Sequence, residues 1–248
     1  MLRGLYTASS GMIAQQKIVD VLSNNIANVN TSGYKKDTVT TMAFPDFMVT
    51  RSGGDNVPYN GYIGNMDYGV LVETFNTNFS EGNIEKTDGK LDFAIDGSGF
   101  FTVSTPNGIR YTRDGSFTLN SNGYLVTKDG YYVMGQNGPI QLNNGDISVD
   151  DFGNISLNGQ TVNKLNIVDF SNYSTLRKEG NNLFFTTGGQ AIPASGAVKQ
   201  GYLEGSNVNP VDEMVTMISA MRTYEANQKT VSAFDETLDK AVNEVGRI

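Results

Sequence analysis

From Pro210 to Val245 the chain runs for 36 residues without a glycine or a second proline, and its side chains keep an alternating spacing of four and three. Met217, Met221, Tyr224, Gln228, Val231, Asp235, Leu238, Val242 and Val245 mark this period, and only Gln228 and Asp235 are polar. Such a rhythm is the seam of a helix that packs along a second helix. Asn209 suits an N-cap and Pro210 a first helical position, while Asp212 and Glu213 complement the unpaired N–H groups of the first turn. At 1.5 Å per residue the helix is about 54 Å long. A helix that long needs a partner for its stripe.

The other end of the chain offers one. Leu2, Leu5, Ser9, Met12, Gln16, Val19, Leu22, Ile26 and Val29 follow a similar rhythm, and Asn30-Thr31-Ser32-Gly33 then stops the helix. Charge favours the pairing. Residues 1–36 carry a net +3, from Arg3, Lys17, Lys35 and Lys36 against Asp20, whereas residues 204–248 carry a net −4.

Composition removes large classes of function. The 248 residues have a net charge of −8 and show no basic stripe, which argues against nucleic acid as a partner. With no cysteine and no histidine, thiol nucleophiles, imidazole bases, disulfides and the usual zinc ligands are absent. The segment after Arg3 is broken by Thr7, Ser9, Ser10, Gln15, Gln16 and Lys17, so it is not a secretory signal, and no apolar run is long enough to span a membrane. No cofactor motif occurs.

Between the two helices the signals change. Tyr34 to Asn78 has weak periodicity and many breakers, among them Pro45, Gly53-Gly54, Pro58, Gly61, Gly64 and Gly69, and reads as an extended connector with short strands. A tract punctuated by Asp88-Gly89, Asp96-Gly97, Asn107-Gly108, Asp114-Gly115, Asn122-Gly123, Asp129-Gly130, Asn137-Gly138, Asn144-Gly145 and Asn158-Gly159 follows. These pairs favour type I′ turns, so their density predicts successive antiparallel hairpins. Strands are expected around Phe100–Val103, Arg110–Thr112, Ser116–Leu119, Tyr124–Thr127, Tyr131–Met134, Ile147–Val149, Ile155–Leu157, Lys164–Phe170 and Leu183–Thr186, with 187–201 rich in loops. The fold class is α+β, mainly β. Its long N- and C-terminal helices pair as a coiled-coil-like α domain around an inserted all-β domain of short antiparallel strands. The boundaries are 1–36 and 205–248 for the helices, 37–78 for the connector and 79–204 for the insertion.

No catalytic constellation rises from the sequence. Asp96-Gly97-Ser98-Gly99 precedes a strand where a phosphate loop precedes a helix, and reads as a turn. Asp146, Ser148, Asp150 and Asp151 lack the glycine and glutamate that a calcium loop requires at its sixth and twelfth positions, and read as a polar hairpin. Glu81, Asp88, Asp92, Asp96 and Asp114 include candidates for an acid/base pair, which only spatial separation can test. Met214, Met217 and Met221 suit either a groove or ordinary helix packing.

Asn24, Asn25 and Asn28 are unusual late in a helix of good apolar period, because asparagine competes for backbone hydrogen bonds. Either the helix end frays there, or the amides bond a neighbouring helix and fix its register.

These asparagines also carry a resemblance. Ser23 to Lys35 resembles the N-terminal signature of the bacterial flagellar rod, hook and hook-associated proteins, and Gln200 to Asn209 with Glu213-Met214-Val215 and Arg222 to Asn227 resembles its C-terminal counterpart. Leu91 to Phe101 and Tyr111 to Phe117 are similar to the family's central β motifs. Length is similar to that of the rod members of intermediate size, the distal rod before the proximal.

The resemblance implies a structural subunit without enzymatic activity or cofactor. Such a subunit is exported through the flagellar type III apparatus without a cleaved signal. It assembles helically with itself and with neighbouring rod and hook proteins into a hollow, torque-transmitting shaft outside the cytoplasmic membrane, with no nucleic acid bound and no membrane insertion. Leu5, Met12, Val19, Asn24, Asn25, Ile26, Asn28, Met217, Met221, Tyr224, Val231, Leu238 and Val245 are then the expected assembly residues. The competing class is a secreted β-rich binding protein or carbohydrate-active enzyme with helical oligomerisation arms, which requires a concave site with convergent polar groups.

Overall fold

A computed structural model describes residues 2–51, 61–142 and 147–245. The breakers Gly53, Gly54 and Pro58, the pair Asn144-Gly145, Asp146, Gly246 and the side chains of Leu2 and Val245 lie outside the described residues. The architecture is mainly β, with a long helix at each end: α1 (Leu2–Ala27) and α2 (Pro210–Lys240), the latter continued by a π-helical turn over Ala241–Val245. Both helices fall where periodicity and capping chemistry put them. Among the described residues no helix is long and apolar enough to cross a membrane.

The chain divides into two compact units. One comprises residues 1–26, 37–76 and 210–248, the other residues 27–36 and 77–209. In the first, the weakly periodic connector forms a ribbon in which Asp37–Ala43 pairs with Val70–Thr77 and Phe47–Arg51 runs antiparallel to Gly61–Met66. One side of α1 lies on this ribbon. Ser10 Oγ accepts from the Val70 N–H at 3.3 Å, and the Arg3 guanidinium sits 5.6 Å from the centre of the Tyr68 ring.

The second unit is built on a ten-stranded sheet. Its path runs through Leu176–Gly180, Leu183–Thr186, Gly108–Thr112, Phe100–Thr105, Tyr132–Gly135, Leu125–Val126 and Thr118–Leu119. Each neighbouring pair is antiparallel, as the spacing of turn signals predicts. Phe93, Phe101, Leu125, Val133, Ile140 and Ile155 fill the main core, and a second, aromatic cluster packs Phe100, Phe170 and Phe184 with Phe79 and Tyr173. Two short strands, Ala191–Pro193 and Ala197–Gln200, form inside the stretch read as loops.

The turn chemistry is less uniform than the dipeptides suggest. Among the described pairs only Asn158-Gly159 has both residues at positive φ, +51° and +84°. A second turn of this kind is Asn181-Asn182, at +48° and +55°, which joins Leu176–Gly180 to Leu183–Thr186 without a central glycine. At Asn107-Gly108 the glycine already pairs with Thr105, so the loop is Pro106-Asn107 and the dipeptide lies one residue past the turn centre. Asp150 closes the expected polar hairpin, its Oδ1 accepting from the N–H groups of Phe152 and Asn154 at 3.0 and 2.8 Å.

Candidate assembly interface

α1 and α2 touch at points that step down one helix and up the other. A Cβ added at Gly4 lies 2.6 Å from Phe234 Cζ, one added at Gly11 lies 2.9 Å from Asn227 Nδ2, and Asn25 Nδ2 donates to Glu213 Oε2 at 3.0 Å. The α1 positions 4, 11 and 25 are separated by multiples of seven, and so are 234, 227 and 213. Ala220 completes the α2 series and is 5% exposed.

On α2 these contacts run beside part of the expected stripe. Met217, Tyr224, Val231 and Leu238 lie on the face of Glu213, Ala220, Asn227 and Phe234, but Met221, Gln228, Asp235 and Val242 sit one residue further round. Met221 is 51% exposed and Val242 70%. On α1 the touching residues are Gly4, Gly11 and Asn25, while Leu5, Met12, Val19 and Ile26 form a half-buried row beside them. Counting large apolar residues favours Met221 over Ala220 and Leu5 over Gly4. At Gly4 the missing side chain leaves room for the Phe234 ring, which a count of apolar residues does not register.

The flanking rows meet in a groove of ≈ 410 Å³, lined by Gln16, Val19, Met221, Tyr224, Glu225 and Gln228. Beyond it α2 presents a further apolar stripe to solvent, made of Val211, Met214, Val215 and Ile218. On α1, Tyr6 and Ile13, seven residues apart, are also exposed.

The asparagines separate into two roles. Asn25 is buried, and its amide donates to the Asp37 carbonyl at 2.9 Å while its Oδ1 accepts from the Asp37 N–H at 3.1 Å. With Glu213 as a further partner it ties α1 to the start of both the ribbon and α2. Asn28 accepts from Thr31 Oγ1 at 3.2 Å, a local contact at the helix end, and Asn24 is exposed.

The β unit contains a feature that sequence reasoning missed. Glu204 is fully buried and pairs with Lys35, also fully buried, and with Arg113 Nη1 at 3.1 Å. The backbone satisfies most of the remaining donors and acceptors, while the buried Arg113 Nε has no hydrogen-bond partner. Lys35 Nζ donates to the Ser80 carbonyl at 2.7 Å, Gly82 N–H to Glu204 Oε1 at 2.9 Å, and Arg113 Nη2 to the Gly97 carbonyl at 2.7 Å. Burial pushes the Lys35 ammonium below the ordinary lysine range, against the upward pull of the Glu204 carboxylate.

Gly33 (φ +66°) stands just before Lys35 and donates its N–H to the Glu204 carbonyl at 2.7 Å. A Cβ at Gly33 lies 2.3 Å from the Asp114 nitrogen, so the backbone approach requires glycine as well as the positive φ. Each charged residue sits inside a quoted signature block, but a lone lysine, arginine or glutamate ordinarily signals a solvated surface.

The carboxylates considered as an acid/base pair have separate local partners. Glu81 accepts from the Gly97 N–H, Asp88 pairs with Lys86, Asp92 accepts from Thr87, Asp96 pairs with Lys199, and Asp114 accepts from Ser116. Among the described residues no group of His, Cys, Asp or Glu is arranged to hold a metal ion.

Comparison with known protein families matches the chain in three blocks. Residues 5–35 match the family described as flagella basal body rod protein, residues 94–160 the flagellar hook protein FlgE/F/G D1 domain, and residues 199–244 the flagellar basal body rod FlgEFG protein C-terminal segment. The chain is 34% identical over 270 residues to the flagellar hook-basal body complex protein FlhO of Bacillus subtilis, covering all of both chains. It is 38% identical over 265 residues to the flagellar basal-body rod protein FlgG of the same bacterium, covering 98% of this chain and 99% of the relative. Identity to FlgG of Borreliella burgdorferi is 37% over 264 residues, with 98% of each chain covered. With these three relatives at 34–38% identity aligned over 98% or more of its length, the chain belongs to the flagellar basal-body rod and hook protein family.

Proposed function

We propose that this chain is a structural subunit of the flagellar rod that polymerises with copies of itself through its helix-and-ribbon unit. One observation carries the reading. Of the 22 large apolar residues exposed among the described residues, 17 belong to the helix-and-ribbon unit and five to the β unit. Among the described residues the hydrophobic side chains that the helix-and-ribbon unit buries are Ala8, Ala14, Leu22 and Ala220. Surface of this kind costs free energy in water and is stabilised by a partner.

The two helices act as a coiled-coil-like pair, supported by the seven-residue spacing of their contacts. Residues 1–36 and 205–248 then form one discontinuous α domain, with 37–78 as its extended connector and 79–204 as the inserted β domain. The α2 stripe Val211, Met214, Val215, Ile218 and Met221 receives α1 of a second copy through Tyr6 and Ile13. Charge supports that choice, since α1 carries Arg3 and Lys17 against Asp20, and α2 is net acidic. Two different faces meeting in this way build an open helical polymer rather than a closed dimer.

The family resemblance extends the reading to a hollow, torque-bearing shaft that adjoins other rod and hook proteins and is supplied by type III export. FlgG relatives favour the distal rod. Val215→Asp with Ile218→Asp should leave the far-UV spectrum and thermal midpoint of the isolated subunit unchanged and abolish its concentration-dependent association in sedimentation velocity. Association of the double variant at wild-type concentrations rejects this face.

A further inference from the structure

We propose that Met214 and Met221 are peroxide-oxidation sites that control self-association, an inference that rests on the assembly reading above. The chain has nine methionines and no cysteine, so thioethers hold all of its sulfur chemistry. Among the described residues five are exposed: Met48 (70%), Met221 (51%), Met214 (47%), Met42 (42%) and Met66 (41%). All five lie in the helix-and-ribbon unit. Met134 of the β unit and Met12 and Met217 of the helices are half-buried.

The exposed sulfurs are not equivalent. Met66 Sδ already accepts from Arg3 Nη1 at 3.3 Å, which engages its lone pairs. Met214 and Met221 are seven residues apart on the apolar stripe, and Met221 also lines the groove beside Val19 and Tyr224. In oxidation by hydrogen peroxide the sulfur lone pair attacks one peroxide oxygen and the O–O bond breaks. The sulfur keeps that oxygen as a sulfoxide, losing two electrons, and the other oxygen leaves as water. The product is a polar acceptor in the middle of an apolar contact, and at Met214 the neighbouring side chains of the stripe, Val211, Val215 and Ile218, carry no donor to satisfy it. A docked copy covers both sulfurs, so the free subunit is sensitive and the polymer resistant.

The experiment treats purified full-length protein with hydrogen peroxide, maps sulfoxide by peptide mass spectrometry and follows association by sedimentation velocity. Sulfoxide at 214 and 221 is expected before 12, 134 and 217, with the concentration needed for association raised roughly tenfold or more. The two methionine sulfoxide reductases together, one for each epimer, should restore it. Met214→Gln with Met221→Gln should reproduce the loss without peroxide, and Met48→Leu should leave the peroxide effect intact. Unchanged association of protein oxidised at both positions overturns this inference alone. Failure of the reduced protein to associate at any concentration instead removes the assembly reading beneath it.

Discussion

The β unit and the helix-and-ribbon unit use the same kinds of side chain to opposite ends. In the β unit, Phe93, Phe100, Phe101 and Phe184 are each about 1% exposed, and even a lysine, an arginine and a glutamate are taken out of water together. In the other unit Phe47, Phe75, Ile13 and Ile218 are each more than half exposed. The β unit covers its large aromatic side chains within itself. Its neighbour has apolar surface in excess of its own core, and that excess is what supports the assembly proposal.

The contrast breaks most readily at Glu204. Glu204→Gln leaves Lys35 and Arg113 buried without a counter-charge and should destabilise the β unit by about 3–5 kcal/mol. Urea unfolding followed by tyrosine fluorescence reads this directly, as the chain has no tryptophan. If the loss is below about 1 kcal/mol, the cluster is not dry enough to set this unit apart.

Asn25→Ala should cost about 1–3 kcal/mol by leaving the Glu213 carboxylate and the Asp37 backbone without their amide partner. Hydrogen exchange should rise at Asp37 and in the first turn of α2 and stay unchanged in the large sheet. A uniform rise across both units would mean that they unfold as one.

The seam is sharpened by paired glycine substitutions. Gly4→Ala drives a methyl into the Phe234 ring and should cost about 1–3 kcal/mol despite a helix-propensity gain. At Gly11 the obstacle is the end of the Asn227 amide, which can rotate away, so Gly11→Ala should be neutral or slightly stabilising. Equal effects at both sites would place the close approach elsewhere.

The smallest effect is at Asp150, whose carboxyl is held below the ordinary aspartate range chiefly by the Asn154 side-chain amide and then by the Asn154 N–H. Its contribution is present above the unfolded pKa and is lost as pH falls through the lower folded value. Asp150→Asn should therefore lower the thermal midpoint slightly at pH 7, and the gap from wild type should close in acid.

What could be read from sequence followed from repetition. α2 appears over the predicted span because an N-cap residue, a first-turn proline, early carboxylates and an unbroken period all agree. Ile147–Val149 and Leu183–Thr186 match their expected strands residue for residue. Gly4 and Gly11 are not legible as contact points, because they contribute by being small, which hydrophobicity does not register. The Lys35–Glu204–Arg113 cluster was invisible for a different reason. Its members lie 78 and 91 residues apart along the chain, and only the fold reveals that solitary charges have become mutual partners. The candidate site was legible as a pair of helices, but their angular positions were not.

The bond from the Gly33 N–H to the Glu204 carbonyl makes the chain enter and leave the β unit side by side. Everything from Tyr34 to Leu203, the ribbon at 37–76 included, is thus bracketed by a single buckle. The span between its two ends is set by that buckle and not by what lies within it. Loops inside the buckle can therefore lengthen or shorten at little entropic cost without moving its ends. A scaffold of this kind allows evolution to enlarge, trim or exchange the decoration while the points of attachment stay fixed.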